Sequence, residues 1–220
     1  LMEICYTIQA EVVDITKDIP NERDAFLADT NVWYWLTYQK ASQRAHPPAY
    51  YQTTKYPRYT NSALRAGARV FHSGLSLAEL THLIEKSEYE IFAKANPRIF
   101  PNPNQFAKRF RHNRPDENRQ AVTEIESAWA QVTNLSEPLA VTIGSPTTTA
   151  ALKRLRTEKV DGYDLFILET MRKHGVVQII TEDGDFTTVP GIQVFTANRN
   201  VLEAARAQKR LITRAQGKKR

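Results

Sequence analysis

The chain has one cysteine, Cys5, in 220 residues. A single thiol can build neither an internal disulfide framework nor a cysteine-rich zinc module, so a reducing, cytoplasmic setting is predicted. Long apolar runs are also missing. The longest, such as Val176 to Ile180, fall far short of the roughly 20 residues of a membrane helix, and Glu3 spoils the basic start of a secretory leader. The expectation is a soluble protein with no membrane partner. The five histidines, His46, His72, His82, His112 and His174, show no metal-ligand spacing. No glycine-rich phosphate loop, no Ser/His/Asp arrangement and no repeat of 20–50 residues stands out. What the chain does have is an ordinary globular composition, 41% hydrophobic and 25% charged, which excludes a disordered polyelectrolyte. Its length suits one large domain over residues 1–220.

Charge is segregated along the sequence. The net charge is +6, from 30 basic and 24 acidic residues, with a pI near 9.4. Residues 38–72 carry Lys40, Arg44, Lys55, Arg58, Arg65 and Arg69 with no acid. Residues 98–114 carry Arg98, Lys108, Arg109, Arg111 and Arg114, and residues 206–220 carry seven more bases, both again without an acid. A solvated surface and a frayed tail account for any one such block. Three together point to a polyanion, nucleic acid above all.

Ile4 to Val13 is rich in β-formers, and Ala25-Phe26-Leu27-Ala28 reads as a short buried strand ending in Asp29. Asn31 then caps a helix over Val32–Tyr38. From Ala41 to Thr60 the His46-Pro47-Pro48 run and scattered tyrosines break any period, which predicts a loop-rich insertion. Val70-Phe71-His72 reads as a strand. Ser76-x-x-Glu79 fits a capping box, followed by a helix to about Lys94. Pro97, Pro101 and Pro103 interrupt the chain before a helix over Asn118–Val132, a strand over Leu139–Ile143 and a basic helix around Ala151–Thr157. The last third has the clearest rhythm: helix Asp164–Lys173, Gly175 closing it, strand Val176–Ile180, and strand Gly191–Thr196. This β-α-β alternation predicts a mostly parallel sheet with helices on both faces, and ligands at the carboxyl ends of its strands.

Four acids fall where that architecture gathers side chains. Asp29 follows one strand, Glu79 sits in a first helical turn, Asp164 starts a helix, and Asp183 follows another strand, with Asp185 as a fifth. Each has an ordinary explanation alone: Glu79 as the return half of the capping box, Asp164 as a helix-dipole partner, Asp161 as an N-cap, and Asp29 and Asp183-Gly184-Asp185 as turn residues. Together, closely spaced carboxylates repel one another unless a cation neutralises them. Hard oxygen ligands suit Mg²⁺ or Mn²⁺, which keep several waters and can bridge a phosphate while activating water.

Ala28-Asp29-Thr30-Asn31-Val32-Trp33, then Ser76-Leu77-Ala78-Glu79-Leu80, then Asp164-Leu165-Phe166-Ile167 running to His174-Gly175, then Thr181-Glu182-Asp183-Gly184-Asp185-Phe186, together resemble a PIN domain, the nuclease fold of VapC-type toxins. The resemblance covers roughly residues 25–37, 70–95 and 155–200. It implies an α/β/α sandwich around a central, mostly parallel sheet. It further implies that Asp29, Glu79, Asp164 and Asp183 hold one or two Mg²⁺ or Mn²⁺ ions, with Asp185 as auxiliary ligand and Thr181 and Asn31 orienting the set. The activity implied is endoribonuclease cleavage of RNA. An antitoxin protein and a second copy of the chain are the protein partners it admits.

Beyond that match lie basic insertions at about 38–69 and 96–154 and a basic tail at about 206–220. Tyr50, Tyr51, Tyr56 and Tyr59 interleave with Lys55 and Arg58, the pattern of bases stacked on aromatics and phosphates met by cations; packing of the tyrosines against the domain is the alternative. Around 106–114, phenylalanines inward and Arg109, Arg111 and Arg114 outward suit a second basic helix. Two rivals to the ribonuclease remain: a DNA nuclease, since carboxylates do not distinguish sugars, and a silent PIN fold that binds or scaffolds RNA.

Overall fold

The computed structural model describes residues 4–98 and 106–214. Seven strands form one all-parallel sheet. They are β1 (Glu11–Asp14), β2 (Ala25–Ala28), β3 (Arg69–Ser73), β4 (Glu137–Leu139), β5 (Gln178–Ile180), β6 (Gln193–Thr196) and β7 (Leu211–Ile212), in the order β4-β3-β2-β5-β6-β1-β7. The helices are α1 (Thr30–Thr37), α2 (Tyr50–Arg65), α3 (Leu75–Ala95), α4 (Phe106–Asn113), α5 (Pro115–Leu135), α6 (Ser145–Arg154), α7 (Asp164–His174) and α8 (Arg199–Ala207). Among the described residues no helix is long and apolar enough to cross a membrane.

A strand buried on both faces has to be apolar throughout, and β2 is. Phe26 and Ala28 point into a core built from α1, α2, α3 and α5, which supply Val32, Trp33, Tyr56, Tyr59, Leu80, Ile84 and Val132. Leu27 points the other way, into a core with Leu165, Ile167, Leu168 and Met171 of α7 and Ala151 of α6. Val12 on β1 packs against Val201, Leu202 and Ala205 of α8. These layers make an α/β/α sandwich, as anticipated. Phe110 of α4 is buried beside Tyr89 and Ala121, making α4 a flap on α3 and α5.

The topology locates the site. From β2 the chain moves outward through β3 to β4, and β5 then pairs with the opposite edge of β2. The gap beyond the carboxyl ends of β2 and β5 is therefore a switch point, where loops diverge and leave a crevice.

Several local expectations need correction. Residues 50–65 form α2 and not a loop, because Tyr56, Tyr59, Thr60 and Ala63 recur at helical spacing and are buried, which offsets the roughly 3 kcal/mol penalty of Pro57 inside the helix. Asp29, not Asn31, caps α1, its side chain accepting from the backbone N–H of Thr30. Helix α3 begins at Leu75 after Gly74, so Ser76 lies within its first turn and forms no capping box with Glu79. Tyr163 takes the N-cap position of α7, displacing Asp161 from it. The strand expected over Leu139–Ile143 ends at Leu139, and the one expected from Ile4 begins only at Glu11. Gly175 does close α7, in the left-handed conformation with φ +67°. The basic tail is built in as far as Arg214: β7 pairs with β1, and Arg214 is held by Asp18 and Asp24. Pro101, Pro103 and the terminal Lys218-Lys219-Arg220 lie outside the described residues.

Candidate active site

Asp29 continues the sheet beyond β2: its N–H donates to the carbonyl of Ile180 at 3.0 Å. This puts a buried carboxylate at the switch point, where its two oxygens have separate partners. Oδ1 accepts from the N–H of Thr30 at 2.6 Å, and Oδ2 accepts from the hydroxyl of Thr181 at 2.7 Å. Thr181, following β5, is fully buried and does double service. Its Oγ1 also accepts the N–H of Asp183 at 2.9 Å, fixing the turn that carries that acid. Asp183 Oδ1 in turn accepts the N–H of Asp185 at 2.8 Å. The turn runs tight against Tyr6: a Cβ at Gly184 would run into the tyrosine ring, so a larger residue there would have to displace it.

Glu79, one turn into α3, is tied to α1 by the hydroxyl of Thr30, which donates to Oε2. Asp164, the first residue of α7, faces the same cleft. The cleft holds about 690 Å³ and is lined by Asp29, Thr30, Asn31, Glu79, Asp161, Asp164 and Asp183, and also by Tyr163, His82, Glu85 and Arg111. The structure thus brings the four predicted acids together. Thr181 touches two of them, and Asn31 lines the wall. Asp185 is not among the cleft-lining residues, and its contact with the set is the backbone N–H given to Asp183.

Burial and repulsion act in one direction here. Asp164 is pushed up to about 9, first by burial and then by Asp29, Asp183 and Glu79. Asp29 rises to about 7, chiefly through burial, against the opposing hydrogen bonds from Thr181 and Thr30. Glu79 is raised by burial and partly relieved by Thr30. No lysine or arginine among the described residues forms an ion pair with any of these four. The charge deficit and the all-oxygen donor set fit a hard divalent cation. As the side chains stand, no group of three or more acid, histidine or cysteine residues among the described residues is drawn close enough together to hold a metal ion.

The nucleic-acid contacts expected around Tyr56 separate into two groups. Tyr56 is wholly buried, so it cannot stack on a base; its neighbour Tyr59 is buried too. Lys55 and Arg58 are exposed on the outer side of the same helix. On α4, Arg109 and Arg111 are both exposed, and Arg111 also lines the cleft, with Nε 3.1 Å from Glu85 Oε1. The cleft also holds residues that the sequence reading does not single out, among them Thr30, Asp161, Tyr163, His82 and Glu85. Thr30 was hidden by the expectation that Asn31 caps α1, Asp161 was set aside as a cap, and Tyr163 carries no signal beyond adjacency to Asp164.

The PIN domain profile matches residues 26–192, a span that takes in Asp29, Glu79, Asp164 and Asp183. No curated protein matches the chain in sequence.

Proposed function

Because this chain belongs to the PIN-domain family, whose activity is of nuclease type, we propose that it is a divalent-metal-dependent endoribonuclease hydrolysing RNA phosphodiester bonds in this cleft. One observation carries the reading: four carboxylates without a basic partner among the described residues share one crevice at the switch point of a parallel sheet. Asp29, Asp164 and Asp183 would hold Mg²⁺ or Mn²⁺, with Glu79 as a further ligand or as the group that positions water. Such an ion, once bound, supplies charge neutralisation at the phosphate and a more acidic water.

The chain's own residues do the rest. Thr181 and the Thr30 N–H fix both oxygens of Asp29, leaving it no rotational freedom to lose on binding a cation. Thr30 likewise orients Glu79, so α1 sets two of the four acids at once. Exposed Lys55, Arg58 and Arg109 supply cations for RNA phosphates. The exposed thiol of Cys5 is compatible with a reducing cytoplasm. Matched single-stranded RNA and DNA offered in Mn²⁺ test the sugar preference: the reading expects RNA to be cut at least tenfold faster, and equal or faster cutting of DNA rejects it. The narrower identity, a VapBC-type toxin with an antitoxin protein and a second copy as partners, rests on the sequence resemblance. Induced expression of the wild-type chain should then arrest growth while Asp29→Asn does not, and arrest by both would reject it.

A further inference from the structure

Glu182 lies between Thr181 and Asp183 and faces away from the cleft toward α2. Its carboxylate accepts from two phenols of that helix, Tyr56 on Oε2 at 2.5 Å and Tyr51 on Oε1. Its backbone carbonyl accepts from Asn198 Nδ2 at 3.0 Å. The Tyr56 hydroxyl is a buried junction, also 2.8 Å from Thr196 Oγ1 and accepting the N–H of Ala197 at 2.9 Å. A phenol has one proton to give. With that proton on the Glu182 carboxylate, the Thr196 hydroxyl has to donate to Tyr56, and Thr196 itself accepts the N–H of Asn198 at 3.1 Å. The result is a directed chain from the start of α8 through β6 and α2 to Glu182.

No lysine or arginine among the described residues forms an ion pair with Glu182. Two phenols hold it instead, in hydrogen bonds to a charged acceptor that are short and directional. The neighbours on either side of Glu182 serve the acidic cleft: Thr181 grips Asp29, and Asp183 is one of the four acids. Fixing Glu182 from behind therefore fixes both.

We propose that Tyr51 and Tyr56 clamp Glu182 so that the Thr181–Asp183 segment is preorganised for a divalent cation, which makes Glu182 a positioning residue acting through Asp183 and Thr181. The clamp rests on the reading of the cleft as a cation site. It assigns α2 a role in that site that its tyrosines do not announce as surface residues.

The test is Mn²⁺ titration of the full chain by calorimetry, with the melting temperature of the metal-free protein measured alongside. Partners that orient ligands from behind typically change metal affinity 10- to 100-fold. Tyr51→Phe and Glu182→Ala should each weaken Mn²⁺ binding at least tenfold, and combining them should add little, since both remove one device. Tyr56→Phe also deprives Thr196 and Ala197 of a partner and so risks the fold, whereas half-buried Tyr51→Phe keeps the test independent of folding. Mn²⁺ affinity within twofold of wild type in both Tyr51→Phe and Glu182→Ala, with binding lost in Asp164→Asn, would overturn the clamp and leave the metal site standing. A wild-type chain that binds no Mn²⁺ would overturn the metal reading and the clamp with it.

Discussion

At Asp29 and Asp164, burial and mutual repulsion oppose ionisation, so the native fold without a cation holds protons that the unfolded chain has already released. Both folded values lie above the ordinary carboxylate range. Their contribution to stability is complete below about pH 4 and is lost as pH rises through about 7 and then about 9. The metal-free protein should therefore melt progressively lower between pH 5 and pH 9, and Mn²⁺ should restore the loss at the alkaline end. Asp164→Asn removes the cost of taking up a proton on folding at a pH where the unfolded chain has released it. In the metal-free protein at pH 8 it should add roughly 1–3 kcal/mol of stability, or several degrees in melting temperature. Thermal melts at three pH values, with and without Mn²⁺, check this; a flat profile, or an Asp164→Asn variant that melts lower, would contradict it. Residue types and their order sufficed to find the four acids. They did not suffice for Tyr56, because an aromatic between basic residues has the same text whether it faces solvent or the core. Nor did they find Thr30, whose part depends on α3 lying against α1.

Among the elements, α2 shows where local rules stop. Pro47-Pro48, Pro57 and the scattered tyrosines argue against a regular element, yet a 16-residue helix forms at Tyr50–Arg65 because its buried stripe meets Phe26 and Phe195 of the sheet. Tertiary burial outweighed propensity. By contrast α3, α5 and α7 were legible because their apolar periodicity agrees with the fold, although of the end signals read for α3 and α7 only Gly175 holds. The chain end is a second case. Residues from Arg206 onward read as a basic tail, but Arg214 spans Asp18, at 2.8 and 2.5 Å, and also bonds Asp24, with its guanidinium 4.8 Å from the centre of the Phe195 ring. Both aspartates are nearly buried, with side chains 5% exposed. Arg214→Ala would leave them without that cation, held by Tyr59 on Asp18 and by Asn21 and Gln178 on Asp24, and should cost about 3 kcal/mol in chemical denaturation. A loss under 0.5 kcal/mol would show that β7 and the segment after it are held by something else.

For the molecule as a whole, part of the charge separated in sequence is paired in space. Arg44 meets Glu90 at 2.8 Å, Arg69 meets Glu137 at 2.7 Å, and Lys40 meets Glu88 and Glu124 at 3.0 and 2.7 Å, all from stretches that contain no acid of their own. Counting bases along the chain therefore overstates the surface offered to a polyanion, and Lys55, Arg58, Lys108 and Arg109 are exposed bases that remain. The acids show the reverse. They are scattered over more than 150 residues and reach one cleft only because β2 and β5, distant in sequence, are neighbours at the switch point of the sheet. The sandwich class could be read from the β-α-β rhythm, but the strand order that closes the site could not, since it depends on which edges pair. The most direct measurement is cleavage of end-labelled single-stranded RNA by the wild-type chain and by Asp164→Asn, in Mn²⁺ and in EDTA. The account predicts cleavage by the wild type in Mn²⁺ alone, with at least a 100-fold loss in Asp164→Asn. Comparable cleavage in EDTA or by Asp164→Asn would contradict it.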